Sequence, residues 1–503
     1  MTARRRLQPA PTRPRPAGRR RWRASRVPLV PLVPLVWTVA TGLWGLGRED
    51  SLWRDEAATW QVARRSTGDL LRMLEHVDVV HGLYYLLMHA LFAVFGPGLT
   101  VLRLPSVLAT AVAAACVAAV GRRLGGARAG LCGGMAFGML PAVQFYAQEG
   151  RPYALVAAGT GIATLLLVTA LRDGPGRPSL WGGYGAVVLV CGLLNWLSLM
   201  VLAAHLATLL RVRPGRALCA RWAGAAGTAT AGVLPLALYS GGQSDQVSWI
   251  PPLTAHMMIG PAVLLAIGAL GTLLDRSSRT GRLSVAAVGL PLLAVPQLGL
   301  IAVSLVQPLF LDRYVLFSLL GWALLAGAAV DAVAERAART RFRRAAAALP
   351  YVVTGLAIAA LLPQFLAKRS PASRVDDVLA AADEVRTLAR PGDAVLFVPS
   401  ARRDTRLVSP GAFAGIDDIA LARTPEESAT LKGEEADPER IRAAMLARPR
   451  ILLVTDAGRP AGPPSSARDR MKTAVLARSF VPVEDHECRG RRVVLYERRP
   501  GPR

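Results

Sequence analysis

Between residues 27 and 363 the chain is a succession of apolar runs, most of them near the roughly 17–25 residues that a helix needs to span the hydrocarbon of a bilayer. A run that is apolar on every side offers water no solvated face, so this repetition restricts the chain to an all-α polytopic membrane protein. The runs fall at 27–46, 101–120, 128–147, 153–171, 180–194, 198–210, 222–239, 258–274, 283–306, 315–332 and 345–363. A further run at 81–96 is short, and counting it as a full crossing would scatter the arginine loops over both faces. Treated as half-inserted, or as one arm of a hairpin, it leaves about 11 crossings. Arg122/Arg123/Arg128, Arg172/Arg177, Arg211/Arg213/Arg216, Arg276/Arg279/Arg282 and Arg336/Arg339/Arg341/Arg343/Arg344 then share one side. By the positive-inside rule that side is the cytoplasm. Segments 180–194 and 198–210 are short enough to be tilted, or to meet at Asn195-Trp196 near the outer face.

The formal charge of +26 follows the same logic, because the basic residues sit in tails and in loops between apolar runs. Nearly all of it is arginine; Lys368, Lys432 and Lys472 are the only lysines. No aromatic-and-basic sheet face or recognition helix accompanies it, which excludes a nucleic-acid partner. Residues 1–26 hold ten arginines and no acid, and read as a disordered basic cytoplasmic tail. No small-residue cleavage site follows 27–46, so that run is an uncleaved first crossing of the cell membrane. Cys116, Cys132, Cys191, Cys219 and Cys488 have neither metal-ligand spacing nor a disulfide pattern, and read as small buried hydrophobes.

The transmembrane part, 27–363, gives way at 364–503 to a small α/β domain that parity places outside the cell. There the charge rises and Pro/Gly turns appear. Residues 375–390 read as an amphipathic helix ending at Pro391-Gly392, and Ala394–Val398, Ile451–Val454 and Val493–Tyr496 read as strands.

The first outer loop, 47–80, is far more charged than its surroundings and carries Asp55-Glu56. Within it Thr67 is placed to cap an interfacial helix with Leu70, Leu71, Leu74 and Val77 on one face. By this topology four polar clusters converge on the outer face: Asp55-Glu56; His81 with Tyr84-Tyr85; Gln148-Glu149-Gly150-Arg151-Pro152-Tyr153; and Asp312-Arg313-Tyr314. Arg103 lies at the outer end of its own run. Singly, each reads as a snorkelling or ion-paired side chain, or as a charge favouring a helix start. Together they suit one task. An Asp or Glu deprotonates an acceptor hydroxyl, Arg151 and Arg313 hold an anionic phosphate leaving group, and the apolar body holds the lipid that carries it. Asp376-Asp377 and Asp417-Asp418 read as exposed helix or loop charge rather than metal–sugar-nucleotide motifs.

Leu52-Trp53-Arg54-Asp55-Glu56, His81-Gly82-Leu83-Tyr84-Tyr85, Leu102-Arg103-Leu104-Pro105-Ser106, Gln148-Glu149-Gly150-Arg151-Pro152-Tyr153-Ala154-Leu155 and Asp312-Arg313-Tyr314 resemble, in order and spacing, the bacterial GT-C glycosyltransferases. These are relatives of protein O-mannosyltransferases and lipid A aminoarabinose transferases. The resemblance covers residues 45–330, best over 50–170. It implies inverting transfer of a single sugar, mannose-type, from a polyprenyl-phosphate donor to an extracytoplasmic protein, lipid or polysaccharide, with Asp55, the first acid of the pair, as base and Glu56 beside it. It places His81, Tyr84, Arg103, Gln148, Glu149, Arg151, Tyr153, Arg313 and Tyr314 around the substrates. Gly82 and Gly150 stand where many members carry other residues, so the acceptor pocket differs. No cofactor is expected, and a divalent metal is compatible with the sequence but indicated by no motif. The competing readings are a non-catalytic transporter or flippase of lipid-linked sugars and an inactive scaffold. No internal repeat supports a transporter, and Asp55-Glu56 lies on a loop rather than at mid-membrane.

Overall fold

In the computed structural model the described residues are 29–174, 177–243, 250–279, 281–339, 343–458 and 466–500. The basic tail 1–26 and Arg341 lie outside them. Helix α1 (Leu29–Leu43) leads into the charged loop with α2 (Arg54–Ala63) and α3 (Thr67–His76), followed by α4 (Gly82–Phe95) and α5 (Leu99–Gly125). Then come α6 (Ala127–Met139), α7 (Pro141–Ala147), α8 (Tyr153–Asp173), α9 (Pro178–Leu194), α10 (Met200–Val212), α11 (Arg216–Gly241), α12 (Ala255–Leu274), α13 (Val285–Ser304), α14 (Leu319–Ala338) and α15 (Arg343–Arg369). Among the described residues six helices are long and apolar enough to cross a membrane, and four shorter apolar ones accompany them. The protein is a multi-pass membrane protein.

One expected run is broken where the sequence demands it, and the expected joint between 180–194 and 198–210 falls at Asn195. The run 128–147 divides at Leu140-Pro141: proline has no N–H to continue the helix and forces its predecessor into extended backbone (Leu140 ψ 130°). Between α9 and α10, Asn195 is extended and its side chain accepts from Leu197 N, opening a 3₁₀ turn at Trp196–Leu199. Elsewhere small residues let helices touch backbone to backbone. A side chain at Gly130 would strike the Ala118 carbonyl of α5, and one at Gly327 of α14 would strike Ala129 of α6.

Arginine loops gather at one end of the bundle. Arg172 donates to the Arg123 carbonyl, Arg128 pairs with Asp331 at 2.9 Å, and Arg276 pairs with Glu335. The short helix α4 stays at the other end. Its His89 Nδ1 lies 3.0 Å from the Ala63 carbonyl and its Phe92 ring sits 5.5 Å from Trp60, so it packs on α2. The cap of α3 is Ser66, whose hydroxyl accepts from Asp69 N, and not Thr67. Its buried face is Leu70, Met73 and Leu74, while Leu71 is half exposed. Thr67 falls inside the helix because Ser66, one residue earlier, already has the extended backbone that a cap needs.

Beyond α15, helix α16 (Val378–Leu388) precedes β1 (Ala394–Val398), α17 (Asp404–Val408), β2 (Asp417–Asp418), β3 (Leu421–Arg423), β4 (Glu434–Glu435), α18 (Pro438–Leu446), β5 (Arg450–Asp456), α19 (Ala467–Ser479), β6 (Phe480–Cys488) and β7 (Arg491–Arg498). Five strands form one mixed sheet in the order β2-β1-β5-β7-β6, parallel across β2-β1-β5 and antiparallel from β5 onward. The strands alternate as burial on both faces requires. Val395, Phe397, Leu452 and Val454 pack on α16, whereas Leu396, Ile451 and Leu453 pack on α18 and α19.

This α/β unit is fastened to the membrane part at the charged loop. Val378 N donates to the Leu52 carbonyl at 2.7 Å. Asp376 accepts from Arg54 N and Nε at 3.0 Å and from Arg491 Nη2 at 2.9 Å, and Asp377 caps α16 by accepting from Leu379 N. Both acids are buried, contrary to the expectation of exposed charge, because three arginines and a helix start satisfy their oxygens. Asp418 is buried likewise, paired with Arg403 at 2.6 Å.

Candidate active site

Asp55 and Glu56 open α2, and consecutive helical side chains diverge by about 100°. They therefore meet different surroundings. Glu56 points inward and is wholly buried. Arg103 grips it with Nε and Nη2, each at 2.8 Å; Arg48 Nη2 donates at 2.6 Å and Gly150 N at 3.1 Å. Burial would push the Glu56 carboxyl up, but Arg103 and Arg48 overcome it and hold the group well below the usual carboxylate range. Arg103 spends its remaining donors on the carbonyls of Leu46, Gly47 and Ser51, so all its N–H groups are engaged within the protein.

Arg48 reaches this cluster from a turn in which Arg48, Glu49 and Asp50 all have left-handed backbone (φ 49°, 52° and 58°). Three such non-glycine residues in a row are costly, and the buried pair with Glu56 offsets that cost. Sequence reasoning passed over Arg48, since nothing in its neighbours marks it.

Asp55 points the other way, is partly exposed, and meets Arg313 Nη1 at 2.6 Å. The segment that delivers Arg313 is a 3₁₀ stretch, Asp312–Ser318, leading into α14. Asp312 fixes it by accepting from Arg313 N at 2.8 Å and from the Tyr146 hydroxyl at 2.9 Å. The Arg313 guanidinium lies 5.7 Å from the Tyr153 ring centroid and 5.9 Å from that of Tyr314.

The turn 148–152 contributes three side chains with different fates. Gln148 Nε2 straps the end of α1, donating to the Gly42 and Trp44 carbonyls at 2.8 Å. Glu149 is buried with neither carboxylate oxygen in a hydrogen bond among the described residues. Burial pushes its carboxyl up to about 7, against the pull of Arg374 and with the help of Asp55 and Glu56. Arg151 is buried with Nε and Nη1 unbonded among the described residues. His81 is oriented by Asp78, whose carboxylate lies 2.6 Å from Nδ1 and also accepts from the Tyr85 hydroxyl. Tyr84 is fully buried. Asp78, Tyr146 and Arg374 were missed from the sequence. Arg374 belongs to the stretch after the last crossing, yet it stacks on Phe145 at 3.3 Å and donates to the Phe145 carbonyl.

Two cavities flank the Asp312–Ser318 segment. One, of about 480 Å³, is walled by Tyr153 and Tyr314 among others. The second, of about 430 Å³, is apolar except near Tyr146, Gln297 and Asp312, and is bounded by α12, whose other side chains face outward from the bundle. Among the described residues no group of three His, Cys, Asp or Glu side chains has the arrangement of a metal site.

No protein-family model matches the chain, and no curated protein matches it by sequence. Solved structures do. The apo structure of ArnT from Cupriavidus metallidurans superposes with TM-score 0.58 at 13% identity, covering 92% of this chain and 97% of that one. ArnT bound to undecaprenyl phosphate covers the same shares at 13% identity and TM-score 0.50. The oligosaccharyltransferase AglB from Archaeoglobus fulgidus, in complex with an inhibitory peptide and a dolichol-phosphate, gives TM-score 0.50 at 11% identity over 85% of this chain and 69% of its own. Coverage of 92% extends the likeness well past residues 45–330 and into the C-terminal α/β unit. The chain has the GT-C glycosyltransferase fold, an all-α membrane bundle with a small α/β unit at its C-terminus.

Proposed function

We propose that the protein is an integral-membrane glycosyltransferase that moves a single sugar, of mannose type, from a polyprenyl-phosphate donor to an extracytoplasmic acceptor, with inversion. The observation that carries this is the Asp55–Arg313 pair, 2.6 Å apart and next to the wall between the two cavities. The Asp55 carboxylate takes the proton of the acceptor hydroxyl as that oxygen bonds to the anomeric carbon. The bond from the anomeric carbon to the phosphate oxygen breaks, and its electron pair leaves with the phosphate. Arg313, with Arg151 behind it, neutralises the charge that appears there. Attack from the face opposite the phosphate inverts the sugar. The apolar cavity bounded by α12 suits the isoprenoid chain, since its walls need no polar partner and its neighbour α12 faces lipid. That ArnT was captured with undecaprenyl phosphate and AglB with a dolichol-phosphate supports a lipid-phosphate donor. Glu56 and Arg103 hold the start of α2, and Gln148 holds the turn that carries Arg151. The arginine-lined end is assigned to the cytoplasm and the site end, with residues 364–503, to the outside.

The test is transfer by membranes of a deletion strain complemented with wild type or Asp55→Asn, supplied with radiolabelled polyprenyl-phosphate mannose, glucose and arabinose. Donor-dependent transfer by wild type alone supports the reading. Equal transfer by both proteins overturns it.

A further inference from the structure

The larger cavity has a lining that the donor does not explain. Three aromatic rings, Tyr153, Trp196 and Tyr314, form part of its wall, and the amides of Asn195, Gln243 and Gln307 form another part. Among the described lining residues there is no Asp, Glu, Lys or Arg. The one imidazole, His81, has Nδ1 held by Asp78. Its Nε2 makes no hydrogen bond among the described residues, and neither does the Gln307 side chain. Asn195 is fixed through Oδ1, which accepts from Leu197 N, and Gln243 accepts from Val79 N at 3.0 Å, which steadies the turn carrying His81.

The physical chemistry of such a wall is selective. An ionic ligand would shed its hydration and find no opposite charge in the lining. A purely apolar ligand would leave the Asn195 amide N–H groups, the Gln307 amide and His81 Nε2 without partners, whereas Gln243 is already engaged by Val79 N and the Leu74 carbonyl. A sugar ring meets both requirements, because its C–H faces lie on aromatic rings while its hydroxyls exchange hydrogen bonds with neutral amides. About 480 Å³ is in the ordinary range for a small-molecule site and has room for more than one ring.

We infer that this chamber binds an uncharged glycan, the acceptor of the reaction, with Trp196 as its stacking platform. This rests on the transferase reading. With the prenyl chain in the apolar cavity and the phosphate at Arg313, the incoming hydroxyl arrives from the opposite side. That side is the chamber, because Tyr153 and Tyr314, the rings flanking Arg313, are part of its wall.

The experiment uses the full chain in nanodiscs and saturation-transfer NMR with mannotriose, maltotriose and arabinotriose, against trigalacturonate and a Ser/Thr-rich peptide. Undecaprenyl monophosphate binding is measured in parallel. At least one neutral trisaccharide binds, and undecaprenyl phosphate does not displace it. Trp196→Ala weakens that binding about tenfold, Trp196→Phe restores most of it, and neither changes lipid affinity. Gln307→Ala, at an exposed residue, raises the KM for the saccharide without lowering kcat. Preference for trigalacturonate or the peptide overturns the inference, as does displacement of the trisaccharide by the lipid. Absence of saccharide binding while the lipid still binds removes the inference alone. Absence of lipid binding as well removes the transferase reading beneath it.

Discussion

Arg313 Nη1 lies 2.6 Å from Asp55 Oδ2 across 258 residues of chain, so the proposed base is tied to the proposed phosphate ligand. A donor phosphate competes with Asp55 for that guanidinium. Binding of the donor then frees the carboxylate to act as base, and removing the carboxylate frees Arg313 for the phosphate. Asp55→Asn is expected to lose about 10²–10⁴-fold in transfer rate. It is also expected to bind undecaprenyl phosphate more tightly than wild type, and the gain disappears when Arg313→Ala is added. Titration of the four proteins with the lipid checks this; weaker binding by Asp55→Asn contradicts it.

Glu56 has a different part despite its place beside Asp55. Glu56→Gln leaves Arg48 and Arg103 short of their shared countercharge in a buried cluster, which typically costs about 3–5 kcal/mol. Its yield of folded protein is expected to collapse, while the fraction that folds retains turnover. Thermal unfolding and activity per folded molecule separate the two effects.

Arg313→Lys and Arg151→Lys test whether fork geometry matters. A lysine point charge cannot reproduce two parallel donors, so each substitution should impair transfer nearly as much as alanine. Full activity in Arg151→Ala and Arg313→Ala alike would remove both from the site.

Glu149 gives the site a pH signature. Its carboxyl is raised to about 7 in the fold, whereas the unfolded chain ionises near the ordinary 4.5. The folded state thus holds the proton more tightly. The stabilisation is fully present below the unfolded value and is lost as pH rises through about 7, a change of roughly 3 kcal/mol. Glu149→Gln should flatten that dependence and raise stability above pH 7. Melting curves in nanodiscs between pH 5 and 8.5 test it, and an unchanged slope in the variant refutes it.

Asp376 joins the two parts of the molecule. Asp376→Ala strands Arg491, a wholly buried guanidinium, with Asp404 as its remaining acid, and releases Arg54 next to the proposed base. Hydrogen exchange should rise around Leu52 and at the start of α16, and transfer should fall even though Asp376 lines neither of the two cavities beside the Asp312–Ser318 segment. Protection equal to wild type at both places would contradict this.

The sidedness is checked by reporters fused after Arg123, Arg177 and Arg344, expected in the cytoplasm, and after Thr67 and Ser400, expected outside. A reporter after Gln246, expected outside as well, joins the chain beyond the described residues. Cytoplasmic activity of the Ser400 fusion would overturn the placement of the site.

What the sequence determined by itself was everything written in short-range periodicity. Apolar runs became the helices of the bundle, and Ala394–Val398, with the cores of two further strands, became the centre of the sheet, since backbone pairing and burial read only near neighbours. The break at Pro141 and the joint at Asn195 were equally local. What only the tertiary structure decided was which charges are buried and against whom. Asp55 and Glu56 carry the same signal in sequence, yet Arg48 and Arg103 bury one and Arg313 claims the other. Asp376 looked like solvated helix charge and is instead sealed between Arg54 and Arg491. An ionisable side chain is stable in a low-dielectric interior only beside its partner, and apart from Arg48, 8 residues from Glu56, these partners come from 47 to 322 residues away, beyond the reach of any local pattern.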